Sequence, residues 1–119
     1  MAAESSIDNL KTWEDLDLWR KEYAPKYDDG GSAEGISDFV ERKLSEDWPS
    51  LSKLVSISSK SHGLFKFAVK HLGEITTCEN SKTIIEHATR SCPAGLEEQC
   101  KTINSALVPG AAPECLPGA

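Results

Sequence analysis

Apolar residues recur every three or four positions along most of this chain, and the strict alternation of a half-buried strand almost never appears. That regularity restricts the fold to helices that bury one face against one another. Ile36, Phe39, Val40 and Leu44 stand at i, i+3, i+4 and i+8, while Asp38, Glu41, Arg42 and Lys43 fall outside the stripe. Leu64, Phe65, Ala68, Val69 and Leu72 form a second apolar face, Ile84, Ile85 and Ala88 a third, and Leu96, Cys100, Ile103 and Leu107 a fourth.

Turn signals divide the pattern. Thr12 before Trp13-Glu14-Asp15 reads as an N-cap with acids in the first turn, where the positive end of the helix dipole favours them. Trp13, Leu16, Trp19 and Tyr23 follow at helical spacing until Pro25, so a first helix is expected over about 12–24. Residues 25–35 hold three glycines and no apolar pattern, the composition of a loop, with Ser32 placed to cap the second helix. Trp48-Pro49-Ser50 breaks that helix and suits the start of a third carrying Leu51, Leu54 and Val55. The hydroxyls from Ser56 to Ser61 compete for backbone partners and end it. Ser61 is the expected cap of a fourth helix over about 62–72, with Gly73 as its left-handed stop. Thr77 is placed to cap a fifth helix, and Pro93 separates this from a sixth. Residues 108–119 are rich in proline and glycine and read as a tail.

The resulting expectation is an all-α fold, a compact bundle of about six short helices forming one domain over 1–119. The alternative is a short stack of α-hairpins, because Phe39 to Leu44 and Phe67 to Leu72 share one internal spacing. At 119 residues the chain supports one core and leaves little room for a deep enclosed active site. No segment approaches the ~20 apolar residues of a membrane span. The first residues carry neither the basic nor the apolar part of a secretory leader, which points to a cytoplasmic protein.

Charge is unevenly placed. Residues 1–49 hold thirteen acids and six bases, residues 50–70 four lysines and no acid, and residues 71–119 six acids and three bases. An acidic shell repels a phosphate backbone everywhere except over the 50–70 stretch, which argues against a general nucleic-acid binder.

Catalytic and metal-binding patterns are sparse. Cys78, Cys92, Cys100 and Cys115 include no Cys-x-x-Cys pair, and their spacing to His71 and His87 lacks the close ligand pairs of a structural zinc site. Free thiols are the expected state in a reducing compartment. Within one helix Cys92 and Cys100 would lie ~12 Å apart, too far to bridge, whereas a turn at Pro93–Gly95 would permit a disulfide. Neither a nucleophile elbow, a phosphate-cradling loop nor a dinucleotide fingerprint is present, and Asp28-Asp29-Gly30-Gly31-Ser32 lacks the alternating oxygen ligands of a calcium loop.

Two groups of residues remain as candidate sites. His62, Lys66 and Lys70 at i, i+4 and i+8 form a basic stripe, with Lys60, Ser59 and Ser61 at its N-terminal end where free N–H groups attract anions. Trp13, Trp19 and Tyr23 concentrate aromatic side chains in the first helix; if only partly covered, they are interface anchors, and otherwise they fasten that helix to the bundle.

The leading expectation is therefore a non-enzymatic protein–protein interaction module with no cofactor, binding another protein or itself through the aromatic helix, the basic stripe or both. An exposed apolar patch at Trp13 or Trp19 goes with it. The first alternative is anion or nucleic-acid binding through Lys53, Lys60, His62, Lys66 and Lys70. The second is a small enzyme or metal protein built on Cys78, His71, His87 and Cys92, which would have to converge around a cleft.

Overall fold

In the computed structural model, residues 7, 9–27, 30–72 and 78–107 are described, and for 24–27 and 30–33 the backbone alone. They form α1 (Trp13–Tyr27), α2 (Gly30–Glu46), a 3-10 turn (Trp48–Ser50), α3 (Leu51–Ser58), α4 (Leu64–Leu72), α5 (Cys78–Arg90) and α6 (Glu97–Leu107), with no strand among the described residues. The expected all-α architecture is what the chain adopts.

Local chemistry explains the first boundary. The Asp15 N–H donates to the Thr12 hydroxyl over 3.1 Å, while the N–H groups of Lys11 and Thr12 donate to the Asp15 carboxylate over 3.0 and 3.1 Å. This reciprocal capping box satisfies donors that a helix start leaves open. Hydrogen bonds from the Lys11 backbone hold the Asp15 carboxyl below its ordinary range, against the upward push of desolvation.

Three expected boundaries are corrected. The loop over 25–35 does not form: α1 runs through Pro25 to Tyr27 and α2 begins at Gly30. Pro25 stands in the last turn of α1, where a proline's missing donor and the clash of its ring with the carbonyl four residues back disturb only the helix end. Glycine and serine are tolerated in a first turn whose N–H groups lack intrahelical partners in any case. Apolar packing downstream, through Ile36, Phe39 and Val40, outweighs the weak local propensity. Gly35 also has a packing role, since a Cβ there would sit 2.7 Å from the Ile7 side chain. The fourth helix starts at Leu64, not at 62, after Gly63 turns the chain at a φ of 98°. Ser61 does not cap it with its side chain, because that hydroxyl is given to Asp17. Gly73, Thr77 and the 108–119 tail lie outside the described residues.

The second helix is central. It packs on α4 and α5; α4 in turn packs on α3 and α6, α5 on α6, and α1 on α3. The α2–α5 contact joins helices three apart in the chain, beyond the neighbouring unit that a hairpin in a stack would meet. The radius of gyration is 13.8 Å, against about 13.5 Å expected for a compact chain of this length. Leu16, Ile36, Val40, Leu51, Leu54, Leu64, Leu72, Ile84 and Ile103 are buried to the last per cent, each worth roughly 1.5–3 kcal/mol over an exposed position.

Aromatic side chains carry polar tips into this core. The Trp13 indole N–H donates to the Ser50 hydroxyl over 2.9 Å, and its ring meets Phe39 edge-on at 5.7 Å. The Trp48 N–H donates to the Ser91 carbonyl over 2.9 Å, and its ring stacks on His87 at 5.4 Å. Such partners are what a buried indole requires.

The free-thiol expectation is overturned. Cys92 and Cys100 form a disulfide, with Cα atoms 6.2 Å apart. The reason is the turn: α5 stops at Arg90, Gly95 takes a φ of 87°, and α6 begins only at Glu97, so the two cysteines never share a helix. Cys78 is disulfide-bonded as well, and no cysteine among the described residues is free.

Candidate functional site

The first helix sorts its residues into two faces. Trp13, Leu16 and Trp19 point into the bundle at 1%, 0% and 3% exposure. The opposite face carries Glu14, Leu18, Lys21 and Glu22, all exposed. Leu18 is 67% exposed and is the only exposed large hydrophobic side chain among the described residues. It opens onto a shallow cleft of about 200 Å³ lined by Leu10, Asp15, Trp19, Glu22 and Tyr23, with Asn9 at its edge. Two carboxylates and, among the described residues, no cation border that cleft. Its chemistry suits an aliphatic stem that ends in a positive charge, the form of a lysine or arginine side chain.

Beneath this face, Asp17 is buried and fully engaged. The Ser61 hydroxyl donates to its Oδ1 over 2.9 Å, the Arg20 guanidinium reaches the same oxygen at 2.9 and 3.2 Å, and Lys21 Nζ lies 3.2 Å from Oδ2. Burial by itself would raise this carboxyl, but hydrogen bonds from Ser61, Arg20 and Lys21, with the Lys21 charge, outweigh it and hold the group below its ordinary range. Arg20 also donates to the Ser61 hydroxyl over 3.1 Å and the His62 carbonyl over 3.4 Å. The cluster fixes α1 to the corner between α3 and α4, and so fixes the bearing of the Leu18 face.

The aromatic candidates are therefore not surface anchors in this chain. Trp13 and Trp19 are consumed by the core, and Tyr23 is half-buried with its ring 5.6 Å from that of Trp19. The exposed apolar patch expected at the tryptophans is absent; the exposed apolar residue of this helix is their neighbour Leu18. A signal for it existed, since Leu18 is apolar yet falls outside the Trp13, Leu16, Trp19, Tyr23 stripe.

Lys60, His62, Lys66 and Lys70 are all exposed, but only Lys66 and Lys70 lie on α4, with Lys60 and His62 in the turn before it. The single straight stripe is thus a corner. Lys53 pairs with Glu14 at 3.3 Å, whereas Lys60 and Lys66 enter no ion pair among the described residues. The hydroxyls that would have served an anion are committed, Ser59 to the Ser56 carbonyl at 2.7 Å and Ser61 to Asp17. The exposed lysines alone remain of the anion reading.

The cysteine and histidine candidates do not converge. His71 is buried in α4 with Nδ1 3.4 Å from the Ser37 hydroxyl and its ring against Phe67 at 4.7 Å. His87 stacks on Trp48, and its Nε2 donates to the Ser45 carbonyl over 3.2 Å. Cys78 and Cys92, bound in disulfides, offer no thiolate to a metal or a substrate. No group of three or more potential metal ligands occurs among the described residues.

A larger groove of about 610 Å³ follows the seam of α5 and α6, lined by Thr89, Cys92, Cys100, Lys101, Asn104 and Ser105 among others. The Cys92–Cys100 bridge is part of its lining, and the Asn104 amide donates to the Thr89 hydroxyl over 3.4 Å. No described helix is long and apolar enough to cross a membrane. Compared with protein-family models, curated proteins and solved structures, the chain finds a match in none of the three.

Proposed function

We propose that the chain is a non-enzymatic protein–protein interaction module whose contact surface is the outer face of α1, centred on Leu18. The observation that carries this reading is a lone leucine at 67% exposure, set beside a cleft bordered by Asp15 and Glu22. An exposed leucine by itself is ordinary; one that adjoins an acidic cleft with an aromatic wall has the make-up of a pocket for a basic side chain.

The partner is a second copy of the chain. Its corner at Lys60, His62 and Lys66 is exposed and its two lysines unpaired among the described residues, which makes it the complement of the Asp15 and Glu22 cleft. Both patches belong to one chain, so two copies related by a two-fold axis make the contact twice and close the assembly. Charge across such a rim sets register and encounter rate, and salt weakens it.

Sedimentation velocity across a concentration series tests this reading. Association that increases with concentration, declines with added salt and disappears in Leu18→Glu supports it. A chain that stays monomeric throughout, or a Leu18→Glu variant that associates as well as the parent, overturns it.

A cytoplasmic address is the expectation from the first residues, and free thiols follow from it. Disulfides at Cys78, Cys92 and Cys100 argue instead for a compartment that keeps thiols oxidised.

A further inference from the structure

We propose that the Cys92–Cys100 bridge is a site of thiol–disulfide exchange, and that the groove it lines admits a small zwitterionic peptide thiol of the glutathione class. The groove between α5 and α6, about 610 Å³, has the size of a small-molecule pocket. Lys101 and Glu97 line it, are exposed and enter no ion pair among the described residues. One charge of each sign is thus open to a carboxylate and to an ammonium. Oδ1 of Asn104, buried in the same wall, has no hydrogen-bond partner among the described residues, which leaves an acceptor for a peptide N–H. The amide is held by one long bond, 3.4 Å to Thr89, and turns at little cost to meet that donor. None of these residues belongs to the Leu18 face, so the site does not rest on self-association.

The two sulfurs are not equivalent. Cys100 is buried at 4% exposure, whereas Cys92 is half-buried and meets the incoming thiol. The Pro93 and Leu96 carbonyl oxygens lie 3.6 and 3.4 Å from Cys92 Sγ and disfavour negative charge there. Cys100 stands in the first turn of α6, where the positive end of the helix dipole favours such charge, and Lys101 follows it in sequence. Glu97 and Glu98 share that turn, but both are exposed and screened by solvent. Charge released when the bridge opens therefore collects on Cys100.

The exchange conserves electrons. The ligand thiolate attacks Cys92 Sγ, a ligand–Cys92 disulfide forms, the Cys92–Cys100 bond breaks, and its electron pair leaves on Cys100 Sγ. The proton that the ligand thiol gave to solvent returns to Cys100. Attack of the Cys100 thiolate on Cys92 reverses the step, closes the bridge and expels the ligand as a thiolate.

The test takes the full oxidised chain, folded, with reduced glutathione as the probe and mercaptoethanol, an uncharged thiol, as the comparison. Samples are trapped with N-ethylmaleimide in denaturant and digested by trypsin without reductant. Cutting after Arg90 puts both cysteines in the fragment that starts at Ser91. The expected product carries glutathione on Cys92 and N-ethylmaleimide on Cys100. It should form faster than the chain unfolds, a rate read by circular dichroism from a urea series. Lys101→Gln should slow the glutathione reaction roughly two- to fivefold and leave that of mercaptoethanol unchanged. A bridge that opens only as fast as the chain unfolds, glutathione found on Cys100, or an equal effect of Lys101→Gln on both thiols overturns the proposal.

Discussion

The Ser61 hydroxyl lies 2.9 Å from Oδ1 of Asp17, forty-four residues earlier in the chain. Through this bond, and through the Arg20 guanidinium that touches both residues, a helix whose outer face carries Leu18 among charged side chains keeps one fixed orientation on the bundle. The carboxyl titrates lower in the folded chain than in the unfolded one, so the folded state binds fewer protons in acid. The stabilisation is complete above the ordinary aspartate value of about 3.9 and disappears as pH falls through the lower folded value. Asp17→Asn should cost roughly 1–3 kcal/mol at neutral pH and flatten the acid limb of the stability curve, measured by urea unfolding between about pH 2 and 7. An unchanged acid limb would show that Asp17 is not the group responsible.

Gly63 makes the corner that brings Ser61 to Asp17. At a φ of 98° an added Cβ is strained, and it would also meet the Arg20 guanidinium at 3.4 Å. Gly63→Ala should destabilise the chain by about 1–2 kcal/mol in the same unfolding assay, and a neutral effect would contradict the turn as described.

Thr12 and Asp15 hold the start of α1 through their reciprocal bonds. Thr12→Ala should cost about 1 kcal/mol, and Thr12→Ser should restore most of it. Amide exchange should speed up in the first turn of α1 and stay unchanged in α5 and α6.

The Cys92–Cys100 bridge closes a loop of eight residues. Chain-entropy reasoning gives about 2–3 kcal/mol for such a loop, so replacing both cysteines by alanine should lower stability by that order while the helix content by circular dichroism persists. A loss of helix would mean that the bridge organises the hairpin as well as stabilising it.

Much of this fold is legible in the sequence where packing and periodicity agree. The stripes Ile36, Phe39, Val40, Leu44 and Cys100, Ile103, Leu107 are buried as their spacing requires, except that Leu96 stands just ahead of α6. Legibility fails where a long-range partner decides. Pro25 and the glycines after it read as a loop because local propensity is all a short window contains, while the burial of Ile36 and Phe39 pulls the helix start back to Gly30. The tryptophans read first as core, with surface anchors as the alternative, and the contacts of Trp13 with Phe39 and Ser50 decide for the core. The disulfide depended on whether Pro93–Gly95 turns, a matter of tertiary structure. Leu18 and buried Asp17 were visible only as residues out of place on the helical wheel, one apolar outside the stripe and one acidic inside it.

The pairing of the Leu18 face with the lysine corner of a second copy is tested most directly by reversing the charges. Glu22→Lys and Lys66→Glu should each weaken self-association, measured by sedimentation velocity, by roughly three- to tenfold, and the double variant should recover most of the loss. Stability of each variant should stay within about 0.5 kcal/mol of the parent, since both side chains are exposed. Two single variants that associate like the parent, or a double variant weaker than either, would contradict the account.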